Sequence, residues 1–467
     1  MRSFLAAGSV LALAAGVGAD LCNLGSELIG GNWYCQKVDR VSYQGVGGAG
    51  SFNRVTNMDA DSGSCSSQPE HYSGSLAPLN EDISLHIRGP FHLKQLAVYT
   101  PSSASESSKK TRRTPHERRH GHAHFHEHNK EIRELHKVKN TAQAEEKRDI
   151  GDWVTVTWAN GDVVSWINEY DGSPATTAPA APADTTAAAV EAADYSAETS
   201  SAQASSTKAS STGASSAATP AASGDWTQVA YYNAEEGTAT GLTFLANLGG
   251  GGSGVFDYTF GNSLSYVSSD GQSCASSPQV LDDVLLPSNT EIAIMSDREC
   301  SEGSCGYVRP GSVAYEGFGG SDKAFFIEFS MPYDGKTGWN EDMGAFWGLN
   351  AQIPRTLQYG QADCSCWTTG CGEADFFEVL DSGNHRMKST IHGNNAGGSS
   401  DWFQRPGDSF MKAVVVFKDD NLTIQVLDDD TEFGTSMPQS TIEDICSDED
   451  VPDILNSIFA MAGSAGR

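Results

Sequence analysis

Short runs of apolar residues, separated by clusters of Gly, Asp, Asn and Ser, recur along most of this chain. Runs of this length between polar turns predict β-strands. In the second half of the chain the predicted strands span 227–232, 255–260, 324–330, 344–349, 373–380, 387–392, 412–418 and 422–427. Helical spacing of apolar residues is nearly absent until 451–462. The pattern predicts an all-β fold, with a β-sandwich or jelly roll in the C-terminal part.

The first half of the chain is also predicted to be rich in β-structure. Two apolar runs, 153–158 and 163–166, flank an Asn-Gly turn at 160–161, which is a strong hairpin signal. The runs contain Trp153, Trp158 and Trp166, which can stack on sugars or fill a core. We expect a smaller β-rich N-terminal domain over 20–172.

Composition divides the chain into segments. Residues 173–223 are mostly Ser, Thr, Ala and Pro, which bury too little apolar surface to fold and predict a glycosylated linker. The linker leaves 224–467 as the jelly-roll domain, and both flanking segments are long enough for a core of their own.

A basic insertion interrupts the N-terminal domain at 101–148. It holds 12 Lys and Arg against 7 Glu, a net charge of +5. Paired basic residues recur there, and the pair ending at Arg148 predicts processing by a kexin-type protease. Five alternating histidines, from His120 to His128, either bind a metal weakly or are a solvated charged run. Metal storage through this tract is one functional hypothesis.

The N-terminus and the net charge indicate the compartment and exclude some partners. Arg2, an apolar run and small residues before Asp20 predict a secretory signal peptide over 1–19. No later apolar run has the length of a membrane span, so a secreted protein of the extracellular space or cell wall is expected. A net charge of −30 argues against nucleic acid or an anionic membrane as partner, but not against a neutral polysaccharide.

The ten cysteines predict disulfides. Three lie early and seven late, so either one bridge joins the halves or each half keeps a free thiol. Cys364, Cys366 and Cys371 resemble part of a zinc knuckle, but no fourth ligand follows at the required spacing. Disulfide bonding is therefore favoured, and no metal or other cofactor is expected.

Three carboxylates stand close together in the run Gly-Glu-Ala-Asp-Phe-Phe-Glu-Val at 372–379. In a regular strand Glu373 and Asp375 share a face, whereas Glu378 points away. A one-residue bulge at Phe376 and Phe377 restores the parity and lets the two glutamates approach to about 5 Å. That separation is typical of a retaining glycosidase, in which Asp375 perturbs both titrations as a like charge.

The acidic motif alone is weak support for catalysis, because a chain with 60 Asp and Glu produces such strings by chance. Its apolar neighbours strengthen it, since charged residues seldom interleave with a buried strand without a function.

At this strand the sequence resembles the fungal Tos-type cell-wall proteins, which are described as endo-1,3-β-glucanases. The resemblance rests on 345–360, the Cys-rich segment 364–367, the acidic run from Gly370, and 388–393. Gly31-Asn-Trp-Tyr-Cys35 and Tyr43-Gln-Gly45 resemble the N-terminal domain of the same family. More distantly, the strand is similar to glycoside hydrolase family 16, whose enzymes are concanavalin-like jelly rolls.

The resemblance implies roles for individual residues. Glu373 is the expected nucleophile, Asp375 its modulator and Glu378 the acid/base. Trp347 and His392 match an aromatic residue and a histidine near the family's cleft. Ala374 and the Cys-rich loop depart from the usual family 16 pattern, which leaves substrate and cleavage mode open.

The expected function is a secreted endo-1,3-β-glucan hydrolase or transglycosylase of the fungal wall, with β-glucan as partner. The alternative is a wall protein that binds glucan without turnover. Trp339, Trp367 and Trp402 are further sugar-binding candidates, each with an alternative role in the core. Asn421 heads the sequon Asn-Leu-Thr beside an expected exposed turn, which predicts N-glycosylation.

Overall fold

β-Strands form nearly all the regular structure of the residues that a computed structural model describes, namely 18–19, 22, 25–102, 153–157, 163–167, 225–301, 303–447 and 455–461. In chain order the strands are β1 (Gly18–Ala19), β2 (Glu27–Ile29), β3 (Asn32–Tyr34), β4 (Arg40–Gln44), β5 (Gly47–Asp59), β6 (Ser64–Ser75), β7 (Ile83–Arg88), β8 (Phe91–Pro101), β9 (Trp153–Thr157), β10 (Val163–Ile167), β11 (Trp226–Asn233), β12 (Thr238–Thr240), β13 (Leu242–Ala246), β14 (Phe256–Asp257), β15 (Gly261–Asn262), β16 (Ser265–Val267), β17 (Cys274–Ala275), β18 (Leu285–Leu286), β19 (Glu291–Ser296), β20 (Lys323–Met331), β21 (Ala345–Asn350), β22 (Glu373–Glu378), β23 (Arg386–His392), β24 (Gly397–Gly398), β25 (Phe403–Gln404), β26 (Gly407–Lys418), β27 (Asn421–Val426), β28 (Ser436–Met437) and β29 (Asn456–Ala460). Short helices occur at Gln352–Arg355 and Gln439–Cys446, with 3-10 turns at Ala362–Cys364 and Trp367–Thr369. The expected all-β class is confirmed.

Most of the strands belong to two large sheets. The outer sheet runs β1-β29-β4-β27-β26-β20-β8-β11-β12, with β18 beside β8 and β28 beside β11. The second sheet, called the cleft sheet because it contains the acidic strand β22, runs β17-β16-β13-β19-β7-β21-β22-β23-β24, with β25 beside β23. Neighbouring strands are antiparallel except β4 and β29, which pair in parallel. The two sheets form the β-sandwich that the strand pattern predicts.

Strands from the first part of the chain lie in the middle of both sheets. β7 pairs with β19 and β21, and β8 pairs with β11 and β20. The separate N-terminal and C-terminal cores expected over 20–172 and 224–467 are therefore corrected, because the described residues up to 102 and those from 225 onward share one sandwich. Composition divides the chain into segments but carries no information on strand pairing. The signal peptide, the basic insertion with its processing site, and the linker fall wholly or largely outside the described residues and stay predictions.

Aromatic residues of facing strands pack between the sheets. Phe376 of β22 lies 6.5 Å from Phe325 and 6.2 Å from Phe417, measured between ring centroids. Phe377 lies 5.5 Å from Phe329. All five rings are fully buried in the main core. Burying each one stabilises the sandwich by about 1.5–3 kcal/mol.

A helix covers the far side of the outer sheet. Ile442 and Ile445 of Gln439–Cys446 pack against Tyr99 and Trp226, which point away from the main core. The helical expectation for 451–462 is wrong, because 456–460 form β29 beside β4. Edge pairing in the sheet decides that segment, which local periodicity does not reveal.

Most predicted strands are confirmed within one to a few residues, with the longest difference at β26, which begins at Gly407. The exception is 255–260, where only Phe256–Asp257 is a strand. The predicted hairpin around Asn160 is present as β9 and β10, with Val163 opposite Thr157. This hairpin belongs to a separate unit of the chain, 110–216.

Four disulfides in the described residues show whether a bridge joins the two halves of the chain. Cys65 pairs with Cys364, so a bridge does join the two halves. The other pairs are Cys22–Cys35, Cys300–Cys305 and Cys366–Cys371. Cys274 and Cys446 have free thiols. The zinc-knuckle alternative is wrong, because all three cysteines proposed for it are in disulfides.

A long hairpin of β5 and β6 reaches the cleft sheet. Phe52 is buried against Trp347 and the disulfide Cys366–Cys371, and the ring of Tyr72 stacks 6.2 Å from Phe52. The Asn53 backbone N–H donates to Thr369 Oγ1 at 2.8 Å. The hairpin therefore supports the loop that precedes the acidic strand.

Candidate active site

The acidic strand β22 contains the predicted bulge. Opposite β23, Asp375 faces Thr390 and Glu378 faces Lys388, so β22 uses three steps where β23 uses two. The register with β21 shifts at the same place. The bulge at Phe376 and Phe377 is confirmed.

The bulge sets which side chains share a face. Phe376 and Phe377 are consecutive and both lie fully buried in the core between the sheets. Because one residue is absorbed there, Glu378 returns to the face that Glu373 and Asp375 occupy. The three carboxylates thus stand together on the open face of the cleft sheet.

Asp375 is paired with a histidine on the neighbouring strand. His392 Nε2 lies 2.9 Å from Asp375 Oδ2. The aspartate is buried, and the histidine side chain is 41% exposed. Burial lowers the pKa of His392, but the hydrogen bond and the negative charge of Asp375 outweigh it and raise the pKa to about 10. The pair is therefore ionic at neutral pH.

Glu373 accepts a hydrogen bond from an indole. Trp367, in the turn closed by Cys366–Cys371, donates its Nε1–H to Glu373 Oε2. Burial, and next the charge of Asp375, raise the pKa of Glu373 to about 8, while His392 and Trp367 oppose this rise.

Glu378 lies beside an arginine from the first part of the chain. Arg88 Nη2 is 3.3 Å from Glu378 Oε1, and Arg88 Nε donates to the Met343 carbonyl at 2.9 Å. Burial and the charge of Asp375 raise the pKa of Glu378 to about 7, while the guanidinium favours the ionised form. Arg88 thus favours the carboxylate that remains after Glu378 gives up a proton.

The aromatic candidates occupy different positions. Trp347 lies opposite Asp375 on β21, but it is 5% exposed, with its ring stacked 5.2 Å from His86 and below Arg88. Its ring is a support beneath the site rather than an open face. Trp367 is the aromatic candidate that bonds directly to an acid, and it is 46% exposed.

The other two candidate tryptophans lie outside β22 and the turn before it. Trp339 is 68% exposed in the loop before β21. Trp402 is partly buried beside β23, with Arg386 5.1 Å above its ring and His385 at its edge. Neither has a contact with the acidic residues, and their sugar-binding roles stay predictions.

Sequence reasoning missed the contribution of β7. Its apolar residues 83, 85 and 87 enter the core, whereas Ser84, His86 and Arg88 lie on the opposite face of the sheet, where they are also buried. Strict alternation over Ile83–Arg88 is visible in the sequence and reveals this polar face. The sequence does not reveal that β7 lies close to β22, because the two segments are nearly 300 residues apart along the chain.

Two further expectations concern metal and glycosylation. Among the described residues no group of three or more His, Cys, Asp or Glu is arranged to hold a metal ion. Asn421 begins β27 directly after the turn of Asp419 and Asp420, both with positive φ. The predicted turn is confirmed, and glycosylation of Asn421 stays a prediction.

Comparison with known proteins supplies the family. Residues 39–101 match the family described as Cell wall protein YJL171C/Tos1, N-terminal, and residues 224–445 match its C-terminal counterpart. A Candida albicans protein named probable circularly permuted 1,3-beta-glucanase TOS1 is 41% identical over 446 residues, covering 90% of this chain and 92% of the relative. This chain belongs to the Tos1 family of cell wall proteins.

Other members of the Tos1 family are similar over nearly their whole length. The Saccharomyces cerevisiae protein of the same name is 41% identical over 434 residues, covering 91% of this chain and 93% of its own. An Arthroderma benhamiae protein named probable circularly permuted 1,3-beta-glucanase is 38% identical over 454 residues, covering 94% and 96%. No solved structure matches this chain. Both Tos1 segments map onto the one sandwich that carries the acidic strand.

Proposed function

We propose that this Tos1-family protein is a retaining β-1,3-glucan hydrolase or transglycosylase of the fungal cell wall. The observation that carries the proposal is the bulged strand β22, which presents Glu373, Asp375 and Glu378 on one open face. The names of the relatives support the substrate class. The four disulfides and the family description support a location in the wall or outside the cell.

The charges and the shared proton of the site are suited to this chemistry. With one proton shared by Glu373 and Glu378, the three carboxylates carry two negative charges. The cations His392 and Arg88 balance them. A retaining reaction requires one carboxyl that donates a proton and one that attacks. The pKa of Glu373, about 8, lies above that of Glu378, about 7, so the assignment of Glu373 as nucleophile and Glu378 as acid rests on the family resemblance and not on these values.

In the first step Glu373 attacks the anomeric carbon while Glu378 protonates the leaving glycosidic oxygen. The C–O bond to the leaving sugar breaks as the bond to Glu373 forms. The ion pair with His392 keeps the charge of Asp375 fixed between the two acids. Arg88 stabilises Glu378 as it becomes a carboxylate, and that carboxylate is the base of the second step.

The second step decides between the two outcomes. Glu378 removes a proton either from water or from the hydroxyl of another glucan chain, and that oxygen displaces Glu373. Hydrolysis and transglycosylation use the same covalent intermediate. The endo mode and the linkage preference are part of the proposal and require defined substrates.

The first test uses full-length native protein, Glu373→Gln and Glu378→Gln with β-1,3-, β-1,4- and β-1,6-linked oligosaccharides. We expect both variants to lose at least about a hundredfold in product release from the β-1,3 series. Glu432→Gln, an exposed glutamate, is the matched control. Equal product release from all proteins contradicts the catalytic assignment. Tight binding with no new reducing ends favours a glucan-binding wall protein.

A second test separates the roles of the two glutamates. Azide is added to Glu373→Ala and Glu378→Ala with an activated aryl β-glucoside of a short β-1,3 chain. In Glu373→Ala azide replaces the nucleophile, so a single displacement gives the α-azide. In Glu378→Ala azide attacks the intermediate and gives the β-azide. Reversed anomers exchange the assigned roles.

A further inference from the structure

An exposed tyrosine lies on the cleft side of the sandwich and is held by its hydroxyl group. Tyr359 is 62% exposed, and its OH donates to Glu291 Oε2 at 2.7 Å. A ring with one open face and an anchored polar end is suited to a sugar, which offers apolar C–H groups and surrounding hydroxyls.

The carboxylate that holds Tyr359 is itself fixed by two other donors. Glu291 Oε1 accepts from Gln358 Nε2 at 2.6 Å and lies 3.1 Å from His86 Nδ1. Burial raises the pKa of Glu291, but the hydrogen bonds and the charge of His86 outweigh it and lower the pKa. Glu291 therefore remains an acceptor across the neutral pH range.

Glu291 is connected to the acidic strand through packed side chains. His86 is fully buried, contacts Ser84 Oγ through Nε2 at 2.9 Å and stacks on Trp347. In the sheet register Glu291 lies opposite Arg88, which bonds Glu378. Glu291 and the acids thus share the open face of the cleft sheet.

The loop of Tyr359 is fixed by buried contacts. Arg355 donates through Nε to the Tyr315 carbonyl at 3.0 Å and pairs with Asp82 at 3.2 Å. The next side chain but one, Leu357, is buried, and Gln358 accepts from Asn247 at 2.9 Å. A ring held in place before binding loses little entropy when it contacts a ligand.

Two exposed rings, each held by a carboxylate, therefore lie on the cleft sheet. Trp367 is held by Glu373 and lies 6.4 Å from His392 on the β23 side. Tyr359 is held by Glu291, on the β19 side. Three strand spacings of about 4.8 Å separate β19 from β22, so more than one sugar unit is needed to reach both.

We propose that Tyr359 is a sugar-binding platform for a glucosyl unit of the bound β-1,3-glucan other than the unit at Glu373. Glu291 and His86 act as positioning residues for its ring. This inference rests on the proposed glucan substrate, and it concerns how a chain is held rather than how it is cut.

The test measures binding without turnover. The parent protein for this test is full-length Glu373→Gln. It is titrated calorimetrically with β-1,3-linked gluco-oligosaccharides, from the disaccharide upward. Tyr359→Ala and Tyr359→Phe are added to this background. Tyr258→Ala is the matched control, because Tyr258 is 99% exposed and its ring contact within the described residues is to Phe256. Thermal unfolding of each variant checks that the fold is kept.

We expect Tyr359→Ala to weaken binding of the longer oligosaccharides about tenfold, which corresponds to about 1.4 kcal/mol. Tyr359→Phe keeps the ring and loses about threefold or less. Tyr258→Ala binds as the parent does. Unchanged affinity in Tyr359→Ala overturns the inference, as does an equal loss in Tyr359→Phe, which assigns binding to the hydroxyl instead of the ring.

The outcomes separate this inference from the proposed reaction. If native protein releases no product while the parent binds and Tyr359→Ala does not, the platform stands and the hydrolase proposal fails. If native protein cuts the substrate and Tyr359→Ala binds normally, the hydrolase proposal stands and the platform fails. If the parent binds none of the β-1,3-linked oligosaccharides, the platform is overturned.

Discussion

Asp375 is the residue on which the electrostatics of the site depend. Its charge raises the pKa of both glutamates, and its hydrogen bond raises the pKa of His392. It is the most buried of the three acids, so water screens it least. Next to burial, this short carboxylate is therefore what favours the protonated form of both glutamates.

Neutralising this residue tests the electrostatic role. In Asp375→Asn the charge that raises the pKa of Glu378 is lost, so Glu378 releases its proton at lower pH. We expect the alkaline limb of the pH–activity profile of kcat/KM to move toward lower pH. Asp430→Asn, an exposed aspartate beyond β27, is expected to leave the profile in place. An unmoved limb in Asp375→Asn contradicts the role.

His392 gives a prediction for stability against pH. Its pKa is about 10 in the folded protein and about 6.5 when unfolded, so the folded state binds its proton more tightly. The resulting stabilisation is fully present below pH 6.5 and is lost as pH rises through 10. The difference in unfolding free energy between native protein and His392→Gln should therefore shrink over that interval, as measured in urea at several pH values.

His385→Gln is the matched control for that series. The pKa of His385 is lowered by burial and by the charge of Arg386, so this group titrates below 6.5. Its difference from native protein is expected to stay constant at higher pH. A constant difference for His392→Gln as well contradicts the ion pair with Asp375.

Among the elements, β22 joins stability to chemistry. Its bulge gives two phenylalanines to the core and three carboxylates to the open face. Regular alternation cannot do both, because side chains in a strand have a period of two. The arrangement of the three carboxylates therefore depends on a packing requirement of the sandwich.

Adding one residue after the bulge tests this dependence. Inserting Ala between Phe377 and Glu378 leaves both phenylalanines in the core but shifts the parity of the residues that follow, so the Glu378 side chain turns toward the core. An unpaired buried carboxylate costs about 3–5 kcal/mol, so we expect a large fall in Tm and loss of product release. Phe377→Leu keeps the bulge and is expected to retain both activity and most of the stability. An insertion variant that folds and cuts normally contradicts the dependence.

At the scale of the whole molecule, chain order and spatial order differ. Residues 83–101 supply central strands of both sheets, next to strands formed after residue 225. Pro101 lies opposite Trp226 in the sheet, and the Ser102 backbone N–H donates to the Asp225 carbonyl at 2.9 Å. The two ends of the intervening segment thus adjoin.

This adjacency predicts that residues 103–224 can be replaced by a short Gly-containing turn. The joined protein should keep its cooperative unfolding transition and its product release, because β8 and β11 already pair as a hairpin would. A protein that contains only 225–467 lacks β4, β7 and β8 and is expected not to fold. Cooperative folding of that fragment contradicts the single sandwich.

The sequence by itself determined the all-β class, most strand positions, the hairpin around Asn160 and the bulged acidic strand. These follow from local alternation, turn residues and the parity of one strand. It did not determine that β7 and β8 are central, that Arg88 approaches Glu378, or that Trp347 is covered. Those features depend on pairing between segments nearly 300 residues apart, and local patterns do not encode which strand edges meet. The tertiary structure decided them by burying apolar faces from both segments in one core.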